Sequence, residues 1–150
     1  IDFIASVEQL SNEQIEERVK PLLKLFKMNR HVHDLPQTYS KGMQQKAMII
    51  LAFMTKPDIL IIDEPFIGLD PIATKMLLQI IQKEKDRGTG ILMSTHVLDT
   101  AEKICDSFIL IDSGKQLATG TLEQLREECG LAESSLFDCY HHLVEGDLDE

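Results

Sequence analysis

Four aliphatic residues followed by two carboxylates constrain this chain more than any other stretch. Residues 59–62 read Ile-Leu-Ile-Ile, and Asp63 and Glu64 come directly after them. The run does not alternate apolar with polar residues, which predicts a strand buried on both faces, as in a parallel sheet covered by helices. Ligands bind at the carboxyl ends of the strands in such sheets. Adjacent acids there repel each other unless a cation or a proton transfer uses them.

We therefore expect magnesium binding at Asp63 and activation of a water molecule by Glu64. The competing interpretation is a strand that simply leaves the sheet through polar residues. The stretch alone leaves both interpretations open.

The composition indicates one globular domain and argues against several classes of protein. The chain has 150 residues, 43% of them hydrophobic, and a formal net charge of −10. That hydrophobic content is typical of a folded chain, and the acid excess argues against nonspecific nucleic-acid binding. The three cysteines include no C-x-x-C pair, which predicts reduced thiols and no zinc site.

No feature of the sequence predicts membrane insertion. No apolar run approaches the roughly 18 residues that a membrane span needs, and no signal peptide is recognisable. Any membrane association is therefore expected to come through a partner. The chain begins abruptly at Ile1, and we expect it to be part of a longer protein.

A second candidate site begins at Ser40, a residue type preferred just before the first turn of a helix. The apolar stretch 47–54 continues that helix, and Gly42 lies in its first turn, where a side chain would block a close approach. The unpaired N–H groups and partial positive charge of a helix N-terminus suit an anion such as phosphate. Lys41 and Lys46 add positive charge. The alternative is an ordinary capped helix that contains a permissive glycine.

The chain after the acid pair predicts a helix and then a second buried strand. Asp70 is expected to cap a helix that begins at Pro71, and residues 91–93, Ile-Leu-Met, are expected to form the strand. A strand–helix–strand unit of this kind predicts a right-handed parallel crossover. It places His96, just after the second strand, at the same sheet edge as the two acids. The residues leave open whether His96 is functional or a satisfied structural histidine.

The N-terminal third carries ordinary helix signals. Ser11 and Gln14 fit a capping box, and apolar residues at helical spacing come after it. Because Pro21 lies inside that pattern, we expect a kink or a break near Lys20.

The C-terminal third predicts a helix over 97–104, a hairpin and two more helices. The strands of the hairpin are expected at 107–111 and 116–119, around turn residues 112–115. Thr121 begins the next helix, which Gly130 closes. A last helix is expected within 131–144, with an apolar stripe formed by Leu136, Phe137, Tyr140 and Leu143. Core packing is the commoner use of such a stripe, and a docking surface is the alternative that the sequence leaves open. Residues 133–150 include six acids and no Lys or Arg, which predicts a solvated face.

Taken in this order, the motifs resemble those of the nucleotide-binding subunit of ABC transporters. Residues 39–46 resemble the ABC signature motif, residues 59–64 resemble Walker B, residues 68–71 the D-loop, and His96 the switch histidine of the H-loop. Four motifs in one order are far more specific than any one of them. The resemblance covers about residues 8–125.

The signature-like stretch is similar to that of the ABC-2 class of bacterial exporters. Lys41 stands where a first glycine is more usual, and Met43 stands where glutamine is more usual. We interpret both as variation within the subclass.

The resemblance implies an α/β fold of the P-loop NTPase type, with a partial parallel sheet flanked by helices and part of the ABC helical subdomain. It implies three segments. Residues 1–57 correspond to part of the helical subdomain, residues 58–130 to the C-terminal half of the ATPase core, and residues 131–150 to an acidic tail.

The resemblance also implies catalytic roles, with ATP and Mg²⁺ as cofactors. Asp63 holds magnesium through water, and Glu64 polarises the attacking water as general base. His96 contacts the γ-phosphate and links it to the opposite subunit. The implied chemistry is phosphoryl transfer to water.

The implied partners are a second ATPase subunit, arranged head to tail, and an integral membrane permease; no nucleic acid is implied. Ser40 and Gly42 bind the γ-phosphate of ATP held by the other subunit, with Lys41 and Gln45 in the same nucleotide-binding set. Asp70 organises the dimer contact. The expected location is cytoplasmic, on the inner face of the cell membrane.

One departure from the family is large. The sequence contains no G-x-x-x-x-G-K-[ST] motif and no recognisable glutamine loop, both of which lie upstream of the signature in the family. We therefore expect a C-terminal part of such a subunit, which by itself neither binds ATP tightly nor hydrolyses it. Family topology places the P-loop strand between the strands that precede His96 and follow Asp106. Without it, we expect a gap, exposed strand edges or a rearranged sheet.

Two other functions stay open. One is a soluble ABC ATPase of translation or chromosome maintenance, although the chain has no strongly basic insertion and no coiled-coil arm. The other is a non-catalytic binding module in which the acids only shape a surface. The transported substrate is not encoded in these residues, and the direction of transport rests on family analogy.

Overall fold

The computed structural model describes residues 1–148, with side-chain burial for residues 1–146. The chain forms two compact units, Ile1–Ser94 and Thr95–Glu150. Each unit combines helices with a two-stranded sheet, which agrees with the predicted α/β class. The units do not follow the expected boundaries at residues 57 and 130, and those three segments stay a prediction.

The first unit contains four helices and a parallel pair of strands. In chain order they are α1 (Asp2–Val7), α2 (Asn12–Leu25), α3 (Lys41–Met54), β1 (Ile59–Asp63), α4 (Pro71–Arg87) and β2 (Gly90–Ser94), with short 3-10 turns at Asn29–His31 and Pro36–Thr38. Helix α1 was not anticipated from the sequence. The core of this unit includes Ile50, Met54 and Leu77, all at most 2% exposed.

The predicted parallel crossover is present. Strand β1 pairs with β2 from Ile59 opposite Gly90 to Asp63 opposite Ser94, and α4 connects them. Asp70 caps α4, because its Oδ1 accepts a hydrogen bond of 2.8 Å from the amide of Ala73, and Gly88 ends the helix with φ of 95°. The predicted cap at Asp70 is therefore confirmed, and a left-handed glycine ends the helix.

A buried polar network fixes the start of this register. Glu84, only 7% exposed, accepts hydrogen bonds from Arg87 at 2.7 Å and Thr89 at 3.2 Å. Arg87 also donates to the carbonyl of Pro57 at 2.6 Å. Because Pro57 precedes β1 and Thr89 precedes β2, the network fixes the positions of the two strands relative to each other at their N-terminal ends.

The expectation that β1 is buried on both faces is wrong. Leu60 is 6% exposed, whereas Ile59 is 72% and Ile61 is 74% exposed, and Leu92 of β2 is 57% exposed. The described residues of this unit cover one face of the sheet only. The other face carries apolar side chains in contact with solvent, in keeping with the expected incomplete sheet.

Helix α2 does not break at Pro21. Its capping box forms as predicted between Ser11 and Gln14, and the helix continues through the proline to Leu25. Pro21 lies on the exposed side, so the carbonyl four residues earlier that loses its partner can bond to water. Arg18 donates to the carbonyls of Met54 at 3.5 Å and Thr55 at 3.4 Å, which attaches α2 to the end of α3.

The second unit is a hairpin packed with three helices. Its elements are α5 (Leu98–Ile104), β3 (Phe108–Asp112), β4 (Lys115–Gly120), α6 (Leu122–Cys129) and α7 (Leu136–Leu148). The predicted hairpin is confirmed: β3 and β4 are antiparallel, and the turn residues Ser113 and Gly114 have positive φ of 46° and 79°. That combination is typical of a two-residue hairpin turn. Thr121 caps α6 and Gly130 ends it, as predicted.

Helix α7 packs in this core along one side. Leu136 and Cys139 are 1% and 0% exposed, and the amide of Leu136 donates to Glu102 at 2.7 Å. Phe137, expected in the apolar stripe, is instead 49% exposed. Asp138 and Glu145 are exposed, which agrees with the predicted solvated face. Asp149 and Glu150, the last two predicted acids, lie outside the described residues.

None of the described helices combines the length and the apolar character that crossing a membrane requires.

Replacing Pro21 with alanine is expected to stabilise the protein by about 1–2 kcal/mol. Alanine restores the helical hydrogen bond that proline cannot donate, which stabilises the folded state. It also makes the unfolded chain more flexible than proline does, and this entropy offsets part of the gain. Urea unfolding of Pro21→Ala measures it. The control is Lys20→Ala, a neighbouring exposed position, which should change stability by about 0.5 kcal/mol or less. Destabilisation by Pro21→Ala would show that the proline contributes packing that its exposure does not indicate.

Candidate functional site

The two acids lie where β1 ends, and β2 holds them there. The hydroxyl of Ser94 donates a hydrogen bond to Oδ1 of Asp63. The amide of Glu64 donates to the carbonyl of Ser94 at 3.0 Å, which continues the ladder one step past the strand. The chain therefore presents both carboxyl groups at the carboxyl edge of the parallel pair, as the sequence predicted.

Glu64 has a strained backbone. Its φ is 43°, in the left-handed region that residues with a side chain other than glycine rarely adopt. The next two residues, Pro65 and Phe66, are buried, so their packing holds the turn in place. Strain of this kind concentrates at functional sites, where the surrounding structure imposes it.

The donor chemistry at this edge fits a magnesium ion that arrives with phosphate groups. Magnesium prefers oxygen ligands and is commonly held by one or two carboxylates together with substrate phosphates and water. Asp63 provides such a carboxylate, and it is exposed. Within the part of the chain whose side chains are described, no group of three or more His, Cys, Asp or Glu could hold a metal without such help.

Ser40 caps α3, as predicted. Its Oγ accepts a hydrogen bond of 3.3 Å from the amide of Met43, and its carbonyl accepts one of 2.9 Å from Gln44. The amides of Lys41 and Gly42 have no acceptor within the helix. The hydroxyl of Ser40 keeps its own proton as a donor. The helix N-terminus can therefore offer N–H and O–H groups to an anion.

Position 42 requires glycine because the backbone of another part of this chain lies very close to it. A Cβ at Gly42 would lie 2.8 Å from the carbonyl oxygen of Gly68. Gly68 in turn has φ of 77°. Gly42 thus lets the first turn of α3 pack directly on the loop after β1.

Two side chains of α3 also contact this loop. The Nε2 of Gln45 donates to the carbonyl of Pro65 at 3.2 Å. The ammonium group of Lys46 lies 2.9 Å from Oδ2 of Asp70. The positive charge that Lys46 was expected to offer an anion is therefore paired with Asp70 in this structure. The Lys46 ammonium and the amide of Ala73 hold the pKa of Asp70 below its ordinary value.

Two other predicted site residues lie at exposed positions. Lys41 begins α3 with an exposed side chain. His96 belongs to the second unit and is exposed in the turn before α5, where the amide of Val97 bonds to Oγ1 of Thr95 at 3.1 Å. The placement of His96 beside the acids stays a prediction.

The sequence analysis did not single out Ser94, and it did not predict the contacts of Lys46 with Asp70 and of Gly42 with Gly68. The available signal for Ser94 was a hydroxyl residue directly after the predicted strand 91–93. Contacts between residues 24 or 26 positions apart leave no periodic trace in a single sequence.

Comparison with known proteins gives a consistent result. A family model described as ABC transporter matches residues 4–67. The uncharacterized ABC transporter ATP-binding protein YthP of Bacillus subtilis is 49% identical over 147 residues, which are 98% of this chain and 62% of that protein.

Solved structures agree in fold. A structure described as the ATP binding subunit of an ABC transporter superimposes with a TM-score of 0.91 at 44% identity, over 95% of this chain and 60% of that one. A dimeric structure of the ATP-binding cassette MJ0796 bound to ADP and Pi gives 0.65 at 24% identity, over 75% of this chain and 49% of that one. The predicted ABC ATPase fold is confirmed. The chain spans about 60% of the length of YthP and of the first of these structures.

Replacing Gly42 with alanine is expected to destabilise the protein by about 1–2 kcal/mol, although alanine is the better helix former. The new methyl group would force the Gly68 carbonyl away, and overpacking of this kind costs about 1–3 kcal/mol. Gly146→Ala is the matched control, because nothing lies within 4 Å of a Cβ at that helical glycine. Thermal unfolding of both variants measures the difference. Equal stabilisation by both would disprove the close contact.

The ion pair of Lys46 with Asp70 is expected to make stability depend on pH. Because the folded-state pKa of Asp70 lies below its ordinary 3.8, the contribution is complete above that value and is lost as the pH falls through the folded pKa. Lys46→Met should therefore lower the urea midpoint at neutral pH and lose its effect in acid. Lys20→Met, which removes an exposed pair with Glu16, should have a smaller effect at neutral pH. A difference between wild type and Lys46→Met that persists unchanged in acid would contradict this origin.

Proposed function

We propose that this chain, which belongs to the ABC transporter ATP-binding family, is part of a subunit that hydrolyses ATP to power a membrane exporter. The observation that carries the proposal is the placement of Asp63 and Glu64. Parallel pairing with β2 brings them to the carboxyl edge of the sheet, where Ser94 bonds to both. That edge is where open parallel sheets bind their ligands.

The acids have separate tasks in this proposal. Asp63 would hold Mg²⁺ through water, and the ion would supply charge neutralisation at the phosphate oxygens of ATP. The hydrogen bond from Ser94 fixes the orientation of the Asp63 carboxylate. Glu64, on its strained turn, accepts a proton from the water that attacks the γ-phosphate. Positioning and charge stabilisation supply most of the acceleration in phosphoryl transfer.

His96 contacts the γ-phosphate in this proposal, the role that its resemblance to the switch histidine of the H-loop implies. The hydrogen bond between Thr95 and Val97 shapes the turn that carries His96.

The N-terminus of α3 binds nucleotide held by a second subunit. Ser40, Lys41 and Gly42 offer a hydroxyl, backbone amides and a positive charge, and Gln45 lies one turn further on. Asp70 organises the dimer contact. Two subunits arranged head to tail then form two composite sites. The dimer of the cassette MJ0796 bound to ADP and Pi is a precedent for such pairing.

The remaining partners are those of the family. ATP hydrolysis drives transport by an integral membrane permease. Because the subunit binds this permease, we expect it on the cytoplasmic face of the membrane. We infer that ATP turnover also needs a phosphate-cradling loop and a coupling loop, neither of which is recognisable in these 150 residues. In this proposal these residues alone do not hydrolyse ATP. Residues 1–57, 58–130 and 131–150 correspond to helical subdomain, half of the ATPase core and tail.

In the full-length protein, Glu64→Gln is expected to lower ATP turnover by about 10²–10⁴-fold, the usual contribution of a general base. Nucleotide binding should persist, and an ATP-loaded dimer should accumulate, because the amide keeps the shape of the side chain but cannot accept the proton. Steady-state kinetics and size-exclusion chromatography with ATP measure both effects.

The control is Glu123→Gln, an exposed position on α6, which should leave turnover unchanged. Unimpaired turnover in Glu64→Gln would remove Glu64 from the role of base. No turnover in the wild type would favour a non-catalytic binding module instead.

A further inference from the structure

We propose that Lys46 is a positioning residue for hydrolysis, which ties the loop of residues 64–70 to the first turns of α3 through its ion pair with Asp70. This inference rests on the proposed function and adds a residue to it. The loop begins at the acid assigned as base and ends at the cap of α4. Helix α3 begins with the residues assigned to the nucleotide of a second subunit.

Residues 64–70 form a turn that contains no helix or strand. Two long backbone hydrogen bonds lie within it, from Ile67 to the Glu64 carbonyl at 3.3 Å and from Leu69 to the Phe66 carbonyl at 3.2 Å. Pro65 and Phe66 are buried, whereas Ile67 is 56% exposed. The shape of the loop therefore depends on the contacts that hold its ends.

Helix α3 holds the loop at three points spaced along its length. Gln45 bonds to the carbonyl of Pro65, Gly42 packs on the carbonyl of Gly68, and Lys46 pairs with Asp70. The first contact is adjacent to Glu64 and the last is at the far end. A loop fixed at these points cannot move the backbone that carries Glu64 far without displacing α3.

Lys46 provides the one charged contact among these three. Its side chain is 19% exposed, so its aliphatic part packs on protein and water screens its charge less than on an open surface. Asp70 uses both carboxylate oxygens, one for Lys46 and one for the amide of Ala73. Removing Lys46 leaves the cap of α4 intact and removes one of the three contacts that hold the loop on α3. The substitution therefore affects the position of the loop without removing the helix cap.

The consequence is a defect in rate rather than in binding. Misplacing a catalytic group by a fraction of an ångström slows the chemical step, while contacts to the rest of the nucleotide persist. Because α3 also carries Ser40 and Gly42, the same tether keeps the signature-like turn and the catalytic turn in one rigid body within a subunit.

The test compares variants of the full-length protein. Lys46→Met should lower kcat for ATP by about tenfold and change KM by less than about threefold, and Lys46→Arg should recover most of the rate. Hydrogen exchange at the amides of residues 66–69 should be faster in Lys46→Met than in wild type. Lys20→Met, which removes an exposed lysine of α2, is the matched control and should alter neither quantity.

Asp70→Asn tests the same pair from the other side, since asparagine still caps a helix. It should lower kcat like Lys46→Met, and the double variant should be no slower than either single variant. Multiplied losses in the double variant, a kcat of Lys46→Met within about twofold of the control, or a slower reaction with unchanged exchange would each overturn the inference. Wild type without ATP turnover would reject the proposed function itself, whereas an active wild type with an unaffected Lys46→Met rejects the inference alone.

Discussion

The parallel pairing of β1 with β2 is the constraint on which the candidate site depends. It aligns Asp63 with Ser94 and continues for one more hydrogen bond, from the amide of Glu64 to the carbonyl of Ser94. A shift of one residue would turn Asp63 to the opposite face of the sheet. The buried network of Glu84, Arg87 and Thr89 opposes such a shift from the other end of the strands.

At this edge of the sheet, tertiary contacts hold a strained backbone in place. Glu64 adopts a left-handed backbone that isolated residues of its type avoid. The loop after it is fixed by a carbonyl contact to Gly42 and by two side chains of α3. The glycine and the lysine of the signature-like stretch therefore have structural roles within their own chain. Their presence in that stretch does not require a bound nucleotide, although it is compatible with one.

The sequence predicted the local features well and the long-range ones poorly. The caps at Ser40 and Asp70, the hairpin turn at Gly114 and the acids after β1 obey rules that act over a few residues. The pairing of Lys46 with Asp70 depends on how α3 packs on a loop 24 positions later, which a helical period does not encode. The exposure of Ile61 was not predicted, because a uniformly apolar strand is typical of a sheet with helices on both faces. In this structure the described residues cover only one face of the sheet. The apolar stripe of α7 was predicted, but the sequence alone did not decide between core packing and a docking surface; Leu136 is buried, whereas Phe137 is half exposed.

The central claim is that the acid edge of β1 handles a nucleotide with its metal ion. The most direct measurement is a crystal structure of the full-length protein with Mg²⁺ and a non-hydrolysable ATP analogue. We expect the metal about 4–5 Å from the Asp63 carboxylate, with one water between them, and the Glu64 carboxylate beside a water that faces the γ-phosphate. Nucleotide and metal bound away from the end of β1, with both carboxylates in bulk solvent, would contradict the claim.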